Sequence, residues 1–118
     1  MDSILTSIKK LLGITENYTA FDADIIIHIN SVFSILTQLG VGPEEGFFII
    51  DDKETWDDYL DDQILLEMVK SYMYLKVKKF FDPPQSGIVT NANDALIQEL
   101  EWRINVTVDP KKEVSPNA

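Results

Sequence analysis

Carboxylates are the residues whose number and spacing could do chemistry in this sequence, and they concentrate in one stretch. Between positions 44 and 62 a single base, Lys53, stands among the acids Glu44, Glu45, Asp51, Asp52, Glu54, Asp57, Asp58, Asp61 and Asp62. As a calcium loop the stretch fails, because Lys53 falls where a ligand is needed and no glycine marks the sharp turn. We expect the segment to be solvated or to face a basic partner.

Apart from the carboxylates, the sequence contains no combination of residues that is typical of an active site or a metal site. The absence of cysteine excludes disulfides, thiolate metal sites and cysteine nucleophiles. His28 is the only histidine, so it lacks the second imidazole that a transition-metal site would recruit. There is no Gly-rich phosphate loop and no nucleophile or zinc-protease motif, and a chance pair of carboxylates would carry no specificity. The sequence therefore predicts no enzyme and no cofactor.

The charge balance restricts the partners of this protein. Twenty acidic residues against ten basic ones give a net charge of -10, which repels nucleic acid at long range. Basic residues concentrate only near the end of the third predicted helix, at Lys70, Lys76, Lys78 and Lys79. Two interpretations of these lysines stay open: they complement the helix dipole, or they contact a partner.

The start of the chain and its apolar runs bear on localisation. An acidic N-terminus and an apolar stretch interrupted by Lys9 and Lys10 do not resemble a signal peptide. The apolar runs are far shorter than the roughly 20 residues of a membrane-spanning helix. The expectation is a protein of the cytoplasm with no membrane partner.

Hydrophobic periodicity predicts a single all-α domain, a small bundle of about four helices. The first helix runs from Ile4 to Leu12, after Asp2 or Ser3 as N-cap, and stops at Gly13. The second runs from a capping box of Thr19 and Asp22 to Gly40 and is the most strongly patterned.

A long acidic loop separates the second helix from the third. Residues 47–50 form a short strand or a buried loop, and Trp56 and Tyr59 are spaced to hold the segment on the core. The third helix starts at Asp61 or Asp62 and stops at Asp82, because Pro83 forces that residue out of the helical region.

The fourth helix and the tail complete the chain. The helix has the apolar positions Val89, Ala92, Leu96, Leu100 and Ile104 on one face, and Glu99 pairs with Arg103. We expect a helical domain over residues 1–106 and a flexible C-terminal tail over residues 107–118, which is polar and twice broken by proline.

The order and spacing of several segments resemble the head-tail connector, adaptor or head completion proteins of long-tailed bacteriophages. The likeness covers most of the chain. It is carried by Ile8-Lys9-Lys10-Leu11-Leu12-Gly13-Ile14, Asp22 to Val32, Leu36 to Gly42, Thr55 to Tyr59, Val69 to Tyr72, Tyr74 to Val77, Phe81 to Pro84 and Glu99 to Arg103. The sequence departs from the family mainly at 63–66 and in the tail, which bears on the partner-specific contacts.

The resemblance implies a structural virion protein without catalytic residues. Such proteins assemble into a dodecameric ring under the portal, extend the DNA channel and provide a docking site for tail or stopper proteins. They are located at the virion neck after assembly in the host cytoplasm, and they can stay monomeric in solution. Genomic DNA would pass through the ring without specific binding, since an acidic wall lets a polyanion slide.

Two groups of residues are candidates for this role. We expect the subunit or portal interface to use Lys76, Lys78, Lys79, Lys111 and Lys112, and the tail to order on docking to the portal. We expect the acids near the channel or a subunit seam to be Asp51, Asp52, Glu54, Asp57 and Asp58. The alternative function is an acidic regulatory or inhibitor protein, a DNA mimic that binds a basic host factor and needs no ring.

Overall fold

The computed structural model describes residues 3–108, and these form helices joined by loops. The helices are α1 (Ile4–Leu11), α2 (Asp22–Gln38), α3 (Trp56–Tyr59), α4 (Gln63–Phe81) and α5 (Gly87–Val108). The all-α prediction is confirmed. Residues 3–108 contain five helices where about four were predicted, and α3 is a single turn inside the acidic loop.

Several helix ends follow directly from local sequence. Ser3 Oγ accepts the N–H of Thr6 at 3.2 Å and begins α1. Asp62 Oδ1 accepts the N–H groups of both Ile64 and Leu65 at 3.1 Å and begins α4. These side chains satisfy donors that have no partner inside the helix, which is why Ser and Asp are favoured there.

The capping box predicted at the start of α2 is wrong. The N-cap is Phe21, which makes no side-chain cap hydrogen bond, and the helix begins at Asp22. The Asp22 carboxylate instead lies 2.8 Å from the Nζ atom of Lys9 on α1. A buried ammonium competes more strongly for this carboxylate than an orphan backbone N–H does, because both members of the ion pair are charged.

α4 is the central helix of the bundle. It packs against α2 on one side and α5 on the other, and α1 contacts both α2 and α4. Fully buried side chains from these helices form the core, including Ile8, Ile29, Val69, Tyr72 and Ile104. None of the helices among residues 3–108 is long and apolar enough to cross a membrane.

The buried face of α5 differs from the one predicted. Ile97, Leu100 and Ile104 are buried, whereas Val89 and Leu96 are each 45% exposed. Apolar residues occur on both sides of this helix, so the periodicity alone could not select the inward side. The opposite face of α5 is therefore left uncovered by the other parts of residues 3–108.

Candidate assembly surfaces

Residues 47–50 belong to no strand and are held by the side chain of Asn30 on α2. Asn30 Nδ2 donates to the carbonyl oxygen of Ile49 at 2.9 Å, and the Ile49 N–H donates to Asn30 Oδ1 at 2.8 Å. The amide thus takes the place of a neighbouring strand, so the segment is a loop rather than the short strand considered from the sequence. Nothing in the sequence pattern pointed to Asn30.

The exposure of the side chains alternates along residues 47–50. Phe47 packs edge-on against Phe33 with ring centroids 5.1 Å apart, and Ile49 is buried. Phe48 and Ile50 point outward and are 66% and 69% exposed. The two hydrogen bonds from Asn30, which we call the Asn30 clamp, therefore hold a loop that exposes two large apolar side chains to solvent.

Replacing Asn30 with alanine is expected to lower the free energy of unfolding by about 1–2 kcal/mol, because two hydrogen bonds to the loop backbone are lost together. Amide hydrogen exchange at Ile49 should accelerate in the folded protein. Urea denaturation and exchange NMR measure the two effects. Exposed Asn91 on α5 provides the control, since N91A removes no such clamp, and an N30A protein with unchanged Ile49 protection would contradict the assignment.

Several of the candidate acids have structural roles in the loop. Glu54 accepts the N–H of Ile50 at 2.9 Å and the N–H of Asp51 at 3.3 Å. Asp58 accepts the Thr55 N–H at 3.0 Å and completes a capping box at the start of α3. Asp52 and Asp57 are exposed and make no hydrogen bond or ion pair within residues 3–108. Asp52 and Asp57 are thus the candidate acids with charge to offer a partner.

The aromatic residues of α3 fix the loop to the core, as predicted. Trp56 and Tyr59 are both buried, and Trp56 Nε1 donates to Ser7 Oγ on α1 at 2.9 Å. The Tyr59 ring lies 4.6 Å from that of Phe33 and 5.1 Å from that of Phe47. Burial raises the pKa of Tyr59, whose hydroxyl has no hydrogen-bond partner in the described part of the chain.

The lysines near the end of α4 are engaged within the chain. Lys78 Nζ lies 3.4 Å from Asp82 Oδ2, and Lys79 Nζ lies 3.0 Å from Asp94 Oδ1 on α5. Lys76 Nζ is 5.5 Å from the centre of the Phe80 ring, a cation-π contact. Such pairs are partly exposed and stabilise the fold only weakly, so a partner could compete for these lysines.

Two other predicted features lie partly or wholly outside the described residues. Lys111 and Lys112 fall there, as does the tail beyond Val108. Thr107 and Val108, assigned from the sequence to the tail, form the end of α5.

His28, the single histidine, stacks on Phe80 with ring centroids 6.0 Å apart. Within residues 3–108 no group of three or more histidine, aspartate or glutamate side chains is arranged to hold a metal ion.

Lys9 is the buried charge that sequence reasoning missed. Its side chain is only 3% exposed, and its Nζ atom donates to the carbonyl oxygens of Glu16 at 3.1 Å and Tyr18 at 2.8 Å. The contact with Asp22 Oδ1 is an ion pair rather than a well-aligned hydrogen bond. One ammonium thus ties the α1–α2 connection to the start of α2.

A second polar contact joins α4 to α5. The Tyr72 hydroxyl donates to Glu101 Oε2 at 2.6 Å. Burial and the neighbouring Glu101 carboxylate both raise the pKa of Tyr72, because each disfavours the phenolate. The Glu99–Arg103 pair predicted from spacing is confirmed, with Arg103 Nη2 2.7 Å from Glu99 Oε2.

These features define a small all-α bundle whose polar contacts fix its shape and whose surface keeps large apolar side chains exposed. A family model described as Phage connector protein matches residues 4–111 of this chain. The chain therefore belongs to the phage connector family, as the resemblance in its sequence indicated. Comparison with curated proteins and with solved structures returned no match.

Membership in this family fits a structural head-tail connector role and a place at the virion neck. It implies association with portal and tail proteins in the virion. It is also consistent with a protein that is not an enzyme.

Proposed function

We propose that this protein forms a ring under the portal, extends the DNA channel and provides the surface on which tail or stopper proteins dock. The family match over residues 4–111 carries the proposal. The surface supports it, since exposed apolar side chains include Phe48, Ile50, Phe80, Ile88 and Trp102. Large apolar residues of this kind are typical of surfaces that become covered on assembly.

The acidic side of the loop suits a channel wall or a seam close to it. Asp52 and Asp57 are exposed, and the whole chain carries a net charge of -10. A surface of this sign repels the phosphate backbone, so DNA passes without being held. In this proposal the residues beyond Val108, with Lys111 and Lys112, belong to the portal contact.

Reversing three lysines tests the basic surface. The triple variant K76E/K78E/K79E is expected to weaken association with neighbouring subunits or with the portal by at least about tenfold, because attraction to acidic partners becomes repulsion. Analytical ultracentrifugation of the protein, alone at rising concentration and then mixed with its portal, measures this. The fold should survive, since the internal ion pairs lost are partly exposed.

The matched control reverses three exposed bases elsewhere, K10E/K53E/R103E, and gives the same net charge. Equal losses in both triple variants would show a general charge effect and would remove these lysines from the interface. A wild-type protein that stays monomeric and ignores the portal at every concentration would overturn the ring and favour the acidic inhibitor. The experiment must include the portal, because the subunits can stay monomeric until the portal provides a template for the ring.

A further inference from the structure

Two surfaces on opposite flanks of α2 both expose large apolar or aromatic side chains and carry opposite charges. The first, the loop strip, consists of Phe48, Ile50 and Asp52. The second, the aromatic patch, consists of His28, Lys76 and Phe80. We propose that the loop strip of one copy docks on the aromatic patch of the next copy, so that this contact joins neighbouring subunits. This inference rests on the proposed ring and names the residues that would build it.

Side-chain hydrogen bonds within the chain hold the backbone of the loop strip. Asn30 clamps Ile49 from one side, and the Glu54 carboxylate holds the N–H groups of Ile50 and Asp51. A surface already fixed in its binding conformation loses little conformational entropy on docking. An exposed apolar pair on a held loop, followed two residues later along the chain by the exposed carboxylate of Asp52, is therefore well suited to an interface.

The aromatic patch offers the complementary chemistry. Phe80 is 54% exposed, with the His28 ring stacked on it at 6.0 Å and Lys76 Nζ 5.5 Å from its centre. Lys76 has no carboxylate within ion-pair distance among residues 3–108, whereas Lys78 and Lys79 have one each. Phe80 can pack on Phe48 and Ile50 while Lys76 meets Asp52.

The positions of the loop strip and the aromatic patch around α2 indicate that each surface binds a neighbouring copy of the chain. Asn30, which carries the loop strip, and His28, which faces Phe80, are two positions apart on the helix. Two residues correspond to a rotation of about 200° around the axis, so the two surfaces lie on opposite flanks. They cannot meet within one chain. Two different surfaces that meet between copies give a head-to-tail contact, and such contacts generate rings when the rotation closes.

The outer face of α5 is a weaker acceptor for the strip. It exposes Trp102, but its Arg103 is already paired with Glu99. No unpaired cation is therefore available there for Asp52. The aromatic patch combines an exposed ring with such a cation.

The single variants F48S and F80S test the contact. Each is expected to raise the concentration needed for assembly, alone or on the portal, by at least about tenfold, because each removes a central aromatic side chain from the interface. I64S is the matched control, since Ile64 is 77% exposed but belongs to neither surface. Sedimentation velocity measures assembly, and circular dichroism confirms that the exposed substitutions leave the fold intact.

Cross-linking gives a second, independent test because the chain has no cysteine. Treated with a short bis-maleimide, the double variant D52C/K76C should give a ladder of dimers, trimers and higher species. A chain with one cysteine can form only one cross-link, so each single-cysteine variant should give no species larger than a dimer.

Assembly of F48S and F80S at the wild-type concentration, or absence of the ladder while rings form, would overturn the docking contact and leave the ring proposal standing. A wild-type protein that forms no ring and does not bind the portal would overturn both.

Discussion

The K9M variant is expected to lose about 3 kcal/mol of unfolding free energy, close to the effect of breaking a buried ion pair. Methionine keeps most of the volume of the lysine stem but donates no hydrogen bond. The carbonyl oxygens of Glu16 and Tyr18 and the carboxylate of Asp22 then lose their common partner. Partial exposure of Asp22 places the loss at the lower end of the usual range.

Lys10 is the matched control for this experiment. It neighbours Lys9 and carries the same charge, but it is exposed, so K10M should change the stability by less than about 0.5 kcal/mol. Urea denaturation of both variants measures the difference. Adding D22N to K9M should cost less than D22N costs alone, since Asp22 has already lost its partner. Equal stability of K9M and K10M would show that the buried ammonium does not tie the connection.

The G42A variant is expected to lose about 3 kcal/mol, for two reasons that add. Gly42 has a φ of +81°, which is strained for any residue with a side chain. A Cβ atom there would also lie 2.6 Å from Tyr59 Cε1. The Tyr59 ring cannot move away freely, because it packs between Phe33 and Phe47.

Gly13 separates these two contributions. Its φ is +82°, almost the same as that of Gly42, but a Cβ atom there would meet nothing within 4 Å. G13A should therefore lose only about 1 kcal/mol, the cost of the backbone strain. Thermal and urea denaturation give both values. If the two variants were equally destabilised, the close approach of Gly42 to Tyr59 would have no energetic weight.

Part of the candidate surfaces could be read from residue types alone. The acidic stretch, the lysines near the end of α4 and the aromatic pair of α3 are visible as composition or short spacing. Their partners are not. Glu54 and Asp58 look like surface charge in the sequence, yet they bind backbone N–H groups of the loop. Lys76 and Lys78 look alike too, but only Lys78 has a carboxylate within reach in the described residues.

The sequence by itself determined the all-α class, through hydrophobic periodicity, and most helix ends, through local chemistry. Ser3, Asp62 and Pro83 act on backbone groups within a few residues, so their effects are contained in the nearby sequence. The same holds for the family resemblance, which depends on the order of short segments.

The tertiary structure decided the features that depend on distant neighbours. Lys9 is buried because Asp22 and two carbonyl groups converge on it, and Asn30 clamps a loop 19 residues away. The inward face of α5 was settled by packing on α4, since both of its sides carry apolar residues. Hydrophobic periodicity reports how apolar a face is, but only the fold determines which face another helix covers.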